Sequence, residues 1–299
     1  MNSNEKPTWY RPKYSSHFDY PLSEENAINL LKQFETETKH AFFPLILTNK
    51  KTRRYRTERN ETTHKKINLR KEPKIRSILE PSHKDGYIYS YYAEKLNKIY
   101  EERLKKMSSS DAVCAYRSNR GYNYTVALEV FAKVKSLSSC SCFMFDIENF
   151  FGSIDHASLK FQLCELLNTQ RLPADYFKVF NSITRYAYIN GDHIPSNDIN
   201  GDRRICSHEQ FIKLREEGKI EINENSWGIP QGVQISPTLA NIYMTTIDQK
   251  LNKLANENNG IYRRYADDIA IITPDLSIKK ETIEATISNM LAKIGARLN

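Results

Sequence analysis

Apolar and polar positions along the chain alternate between two periods, one helical and one extended. The segment "SEENAINLLKQFETETKHAF" (23–42) opens with a serine and acidic residues and then spaces its apolar positions three and four apart, which predicts a helix. "YIYSYYAEKLNKIYEERLKKM" (87–107) predicts a long helix with one aromatic and one charged face. "SCFMFDI" (141–147) is a short apolar run with Asp146 near its end, which predicts a buried strand. A helix over "SIDHASLKFQLCELL" (153–167) follows, capped by Ser153 or Asp155.

Beyond that point the pattern predicts a Tyr-rich helix near "YFKVFNSITRYAY" and an exposed loop over "INGDHIPSNDINGDRR" (189–204). A charged helix over "SHEQFIKLREEG" comes next. "VQISPTLANIYMTTIDQKLNKLANE" (233–257) carries one helical stripe, with Pro237 early enough for a first turn to tolerate. "GIYRRYADDIAIITP" (260–274) reads as two short strands broken at Asp267 and Asp268, a hairpin, and "SIKKETIEATISNMLAKIGARLN" (277–299) reads as an amphipathic helix. The fold class this predicts is α+β.

Composition narrows the class. The 299 residues are 39% hydrophobic, enough for a sizeable core in one large or two modest domains. No continuous apolar stretch reaches a membrane span and the first residues lack a signal-peptide core, so the expected location is cytoplasmic, with no membrane partner. Cys114, Cys140, Cys142, Cys164 and Cys206 are odd in number and show no CxxC pair; they are expected to be free, buried packing residues. Charge is concentrated: Lys50 to Arg76 holds twelve Lys and Arg against three Asp and Glu, a surplus of nine that exceeds the net +8 of the whole chain. A solvated basic loop has that composition, and so does a polyanion-binding surface. Pro73 and Pro81 punctuate the segment and predict an extended or hairpin course.

The placement of the acids carries the chemistry. Asp146 ends one apolar run, and Asp267 with Asp268 interrupts another. If those strands are neighbours, three carboxylates converge and repel unless cations lie among them. Mg2+ suits carboxylate oxygens shared with substrate phosphates, and two ions roughly 3.5 to 4 Å apart can activate a hydroxyl and stabilise a leaving pyrophosphate. Taken singly, each acid is more often a turn residue or helix cap.

"FMFDIENFFGSIDH", "GIPQGVQISPTLANIYM" and "RRYADD" resemble, in order, the three palm motifs of reverse transcriptases. "KIRSILEPSHKD" and "AVCAYRSNRGYNYTVALEVF" resemble the finger-side motifs of the bacterial members: retron, group II intron and phage-defence enzymes. The resemblance covers about residues 65–299. It implies a right-hand polymerase with an antiparallel palm sheet: an N-terminal extension (1–64, helical and basic), fingers (65–139) and a palm (140–299) with an inserted segment (168–226). The next motif's lysine, the primer-gripping hairpin and the helical thumb would come after Asn299, so the thumb is expected to be missing or truncated. Lys293 is a poor positional substitute for that lysine. The N-terminal stretches "YRPKYSSHFDYPL" and "HAFFPLI" look most like phage-defence enzymes.

The resemblance further implies RNA-directed DNA synthesis from dNTPs with Mg2+ or Mn2+, an RNA template or noncoding RNA, a DNA product, and a partner reverse transcriptase or homo-oligomer. Asp146, Asp267, Asp268 and the Ile147 carbonyl would form the catalytic metal site. Phe151 would act as a sugar gate, and Gln231 and Gly232 would lie beside the nucleotide. Lys74 and Arg76 would clamp its triphosphate, and Arg117 would touch template. The competing expectations are template-independent or protein-primed synthesis, and an RNA-binding module without chemistry.

Overall fold

The computed structural model describes residues 7–59, 66–118, 120–195 and 204–299. The tip of the basic segment and half of the expected loop at 189–204 (residues 196–203) lie outside these residues. The chain runs α1 (Glu24–Glu37), β1 (Leu45–Arg59), β2 (Lys66–Glu80), α2 (His83–Lys106), α3 (Asn123–Ser136), β3 (Ser141–Asp146) and α4 (Phe150–Ser153). It continues with α5 (His156–Leu167), α6 (Ala174–Thr184), β4 (Ala187–Asn190), α7 (His208–Glu216), β5 (Glu221–Ile222) and α8 (Ser236–Tyr243). The last elements are α9 (Thr245–Glu257), β6 (Ile261–Tyr265), β7 (Asp268–Thr273) and α10 (Lys280–Ala292). The class is α+β, as the periodicities predict.

Two sheets organise the molecule. One is antiparallel with strand order β3-β7-β6, and the other has order β2-β1-β4-β5, with β4 running parallel to β1 at Leu45–Leu47. The basic segment is therefore a hairpin, β1 against β2 from Ile46↔Glu80 outward. This pairing crosses the expected boundary at residue 64, and β4 ties the expected insertion to the same sheet. Helix α9 packs on β6 and β7, and α8 packs between α5 and α2. Their apolar faces, including Tyr100, Leu159, Leu239, Ile242, Leu251 and Ile269, belong to one buried cluster.

Local signals set the element ends. Ser23, Ser82 and Asp155 each accept a first-turn N–H as caps of α1, α2 and α5, so Asp155 rather than Ser153 opens α5. Ser207 and Gln210 form a capping box on α7.

Four expectations are corrected. The helix predicted over 233–257 is divided at Met244 into α8 and α9. The stretch from Ile189 does not begin as a loop: Ala187–Asn190 is a strand, and Ile189 is buried beside β1. Strand β3 is not buried throughout, because it is an edge strand with one open face; Phe143 points inward while Met144 is 63% exposed. On that open face Cys142 is exposed and Cys140 half-buried, with sulfurs 4.0 Å apart, whereas Cys114 and Cys206 are the buried thiols expected.

Candidate active site

Strand register brings the acids together. In the β3–β7 ladder Asp146 stands directly opposite Asp268, and residues so paired share a face of the sheet. One step further the Ile147 N–H donates to the Asp267 carbonyl at 3.1 Å, so the hairpin turn is held by β3 as well as by its own strands. The consequence is electrostatic. Burial and the neighbouring Asp267 and Asp146 charges push the Asp268 carboxyl above the usual range, against the opposing pull of Lys74.

The turn is tight. Tyr265 pairs with Asp268, which leaves Ala266 and Asp267 as its two central residues, and Ala266 has a φ of 58°. Positive φ at the first position suits a two-residue hairpin, but an alanine there is strained. Arg264 holds it: the guanidinium donates to the Ala266 carbonyl at 2.8 Å, to both Asp248 oxygens at 2.7 Å, and to Asn241 at 3.2 Å. Arg264 is fully buried. Burial pulls its pKa down, but the Asp248 charge in contact outweighs that and the shift is upward. Asp248 also accepts the Tyr262 hydroxyl at 2.6 Å.

A further segment completes the wall. Residues 112–114 bond to β6 at Arg264, through Arg264 N–H to Ala112 O at 2.7 Å and Cys114 N–H to Arg264 O at 2.8 Å. This delivers Tyr116 to the acids, and burial followed by the Asp267 charge raises its hydroxyl pKa. Its ring lies 6.5 Å from that of Phe151, which is the second residue of α4 and accepts the Ile229 N–H through its carbonyl. Gln231 and Gly232 lie against the β1–β2 hairpin: the Gln231 carbonyl accepts the Leu79 N–H at 2.8 Å. At Gly232 a Cβ would meet the Leu79 carbonyl at 2.9 Å and Ile78 at 2.7 Å, so the close approach that this glycine permits is to strand β2.

Lys74 reaches the site electrostatically, and Arg76 lies two residues along the same strand, both exposed. Arg117 does not serve as expected. It is buried, its Nε and second terminal nitrogen each 2.6 Å from the Glu101 carboxylate and its other nitrogen on the Ser110 and Val113 carbonyls, so its donors are spent inside the protein. The residues that sequence reasoning overlooked are Tyr116, Arg264, Asp248 and Asn241. Alternation offered one signal: Arg264 falls between Tyr262 and Ala266 on the inward parity of β6.

The donor chemistry fits a hard divalent cation, with carboxylates from two strands and the backbone at Ile147. Among the described residues no group of three His, Cys, Asp or Glu side chains forms a ready metal cluster. Asp146 Oδ2 accepts from the Asn299 amide at 3.1 Å, so one of its oxygens is engaged. The C-terminal stretch pairs here through Asp146 O and Glu148 N–H, which leaves the Ile147 carbonyl outside that pairing. A groove of about 840 Å3 lies elsewhere, between the N-terminal segment and α2, and is lined by Arg11, Lys13, Glu101 and Gln234 but by none of the three acids.

The family described as "Reverse transcriptase (RNA-dependent DNA polymerase)" matches residues 87–299. Among solved structures, telomerase from Candida albicans in complex with a fragment of telomeric RNA is 12% identical, with a TM-score of 0.49 over 92% of this chain and 46% of that one. Apo telomerase from Candida tropicalis is 16% identical, with a TM-score of 0.47 over 97% of this chain and 51% of that one. The chain thus spans about half the length of these telomerase chains. No curated protein matches it. Among the described residues no helix is long and apolar enough to cross a membrane.

Proposed function

The chain belongs to the reverse transcriptase family, and on that premise we propose that it is an RNA-directed DNA polymerase that adds dNTPs to a 3′-hydroxyl. The observation that supports this reading is the facing pair Asp146 and Asp268 beside the Asp267 turn, three acids crowded where no core or cap needs them. Asp146, Asp267 and the Ile147 carbonyl would hold Mg2+, with Asp268 adding charge. Bound there, the metal would neutralise phosphate charge and lower the pKa of the attacking hydroxyl. The chain's own side chains bind and orient. Lys74 and Arg76 would meet the triphosphate, Phe151 would close the space a ribose 2′-hydroxyl needs, and Tyr116 would wall the other side.

In this reading 65–139 act as fingers and 140–299 as palm, with β1 joined to the fingers by its pairing with β2. A role in bacterial antiphage defence with a noncoding RNA rests on the N-terminal resemblance alone. The test is primer extension on an RNA template with dNTPs and Mg2+, comparing the parent chain with Asp267→Asn. Labelled DNA from the parent and none from the variant is the expected result. Equal incorporation by both removes the assignment.

A further inference from the structure

Free cysteine is among the most buried of residue types, and Cys114 and Cys206 obey that preference. Cys140 and Cys142 do not. Strand β3 is the edge of its sheet; Cys142 is exposed on its open face, and Cys140 is half-buried just before the ladder begins at Ser141↔Thr273. Their sulfurs lie 4.0 Å apart. Side chains alternate along a strand, so Met144, which is 63% exposed, continues the same face. Three sulfurs in a row at an open edge contribute little to packing, and their chemistry is that of soft metal ligands.

The sulfur separation distinguishes two uses of such a pair. A disulfide needs sulfurs about 2.05 Å apart, roughly half the distance found, and Cα atoms two residues apart in a strand, about 6.6 Å, lie near the upper limit that a disulfide spans. A shared cation needs no such closure: two metal–sulfur bonds of about 2.3 Å opened to about 120° put the sulfurs about 4.0 Å apart. That angle belongs to a three-coordinate ion. Among the described residues no His, Cys, Asp or Glu side chain adds a third ligand to the pair. The third donor on this face is the Met144 thioether, one strand step of about 6.6 Å beyond Cys142, and the unbranched methionine chain with its three rotatable bonds can reach back over that step.

Two thiolates and a thioether discriminate among metals. Structural zinc is held by four ligands drawn from thiolate, imidazole and carboxylate, and this face offers two. Hard ions such as Mg2+ prefer the oxygens at Asp146, two further strand steps along the same face and about 13 Å from Cys142. Soft Cu+ accepts both kinds of sulfur.

We propose that Cys140, Cys142 and Met144 form a three-sulfur site for one Cu+ ion on the open face of β3, separate from the acidic site. The site does not depend on the polymerase reading. Burial and the neighbouring Cys140 sulfur push the Cys142 thiol up, so the cation displaces a proton and binding strengthens as pH rises. Cys140 precedes the ladder, so an ion bridging it to Cys142 also pins the end of the strand, and a ligand of the folded chain raises Tm.

The test titrates the full chain with Cu+ in oxygen-free, thiol-free buffer against a chromogenic Cu+ chelator, followed by the ultraviolet thiolate-to-copper charge-transfer band. The parent should take up one tight equivalent and gain Tm. Cys140→Ser and Cys142→Ser should each lose both the equivalent and the gain, while their metal-free melts match the parent's, which separates loss of the site from loss of the fold. Cys164→Ser, which removes the other half-buried thiol, should retain both. Met144→Leu should weaken Cu+ retention and leave the weaker Zn2+ binding unchanged. No tight equivalent in the parent, an equivalent that survives Cys142→Ser, Cu+ retention untouched by Met144→Leu, or Zn2+ held as tightly as Cu+ overturns the proposal.

Discussion

Replacing Arg264 by methionine removes a side chain that ties the strained Ala266 turn to helix α9. The guanidinium makes four hydrogen bonds in the interior, two of them to Asp248 at 2.7 Å. Methionine keeps much of the volume, so packing loss is small, but Asp248 is left buried with the Tyr262 hydroxyl as its remaining donor. Breaking a buried ion pair from one side costs roughly 3–5 kcal/mol. For a chain of this size that is a fall in Tm of about 5–8 °C. Asp248→Leu should cost a similar amount from the other side. The double variant, which leaves no buried charge unpaired, should recover at least about 2 kcal/mol relative to the sum of the singles. Activity should behave differently: the double variant still lacks the donor on Ala266 O, so primer extension should stay low while stability returns. Thermal and urea unfolding measure the first effect and single-turnover extension the second. Costs below about 1 kcal/mol in the singles, or additive losses in the double, would refute the view that this pair holds the Asp267 turn.

Phe151→Ala should open the space beside the incoming sugar and raise rNTP incorporation relative to dNTP; an unchanged preference in competitive primer extension counts against the gate. Asp268→Asn should raise Tm at neutral pH and lose that advantage in acid. The folded-state pKa of Asp268 is raised, so its ionisation opposes folding above the carboxylate range and is silent below it. Thermal melts across pH check the sign. His17 is buried against the Glu80 carbonyl with its pKa lowered to about 4, chiefly by burial, so folding weakens as pH falls from about 6.5 toward 4. His17→Gln should flatten that acid loss, on the order of 3 kcal/mol, in unfolding curves taken between those pH values.

Much of the architecture was legible where an element carried its own signal. Ser82, Asp155 and Ser207 cap the helices they precede, and "RRYADDIAII" breaks where the hairpin turns. The convergence of Asp146 with the Asp267 turn was legible only as a condition, since no local pattern says which strands are neighbours. The ladder from Ser141↔Thr273 to Asp146↔Asp268 supplies that fact. Where reading failed, the missing information was non-local. Ala187–Asn190 is too short to announce a strand and becomes one because β1 offers an open edge. Met144 looked like a core residue because a sequence does not show that β3 lies at a sheet edge.

Arg117 and Tyr116 show the same limit at the scale of one residue. A basic side chain in a motif that flanks a polymerase site was expected to face nucleic acid. The strand-like pairing of residues 112–114 with Arg264 instead fixes the phase of the segment, and Glu101 on α2 supplies a carboxylate where Arg117 points inward. The phase that buries Arg117 presents its neighbour Tyr116 to Phe151 and to the Asp267 turn. Charge indicates what a residue can bind, but the phase of the backbone decides whether it meets a ligand or the protein itself.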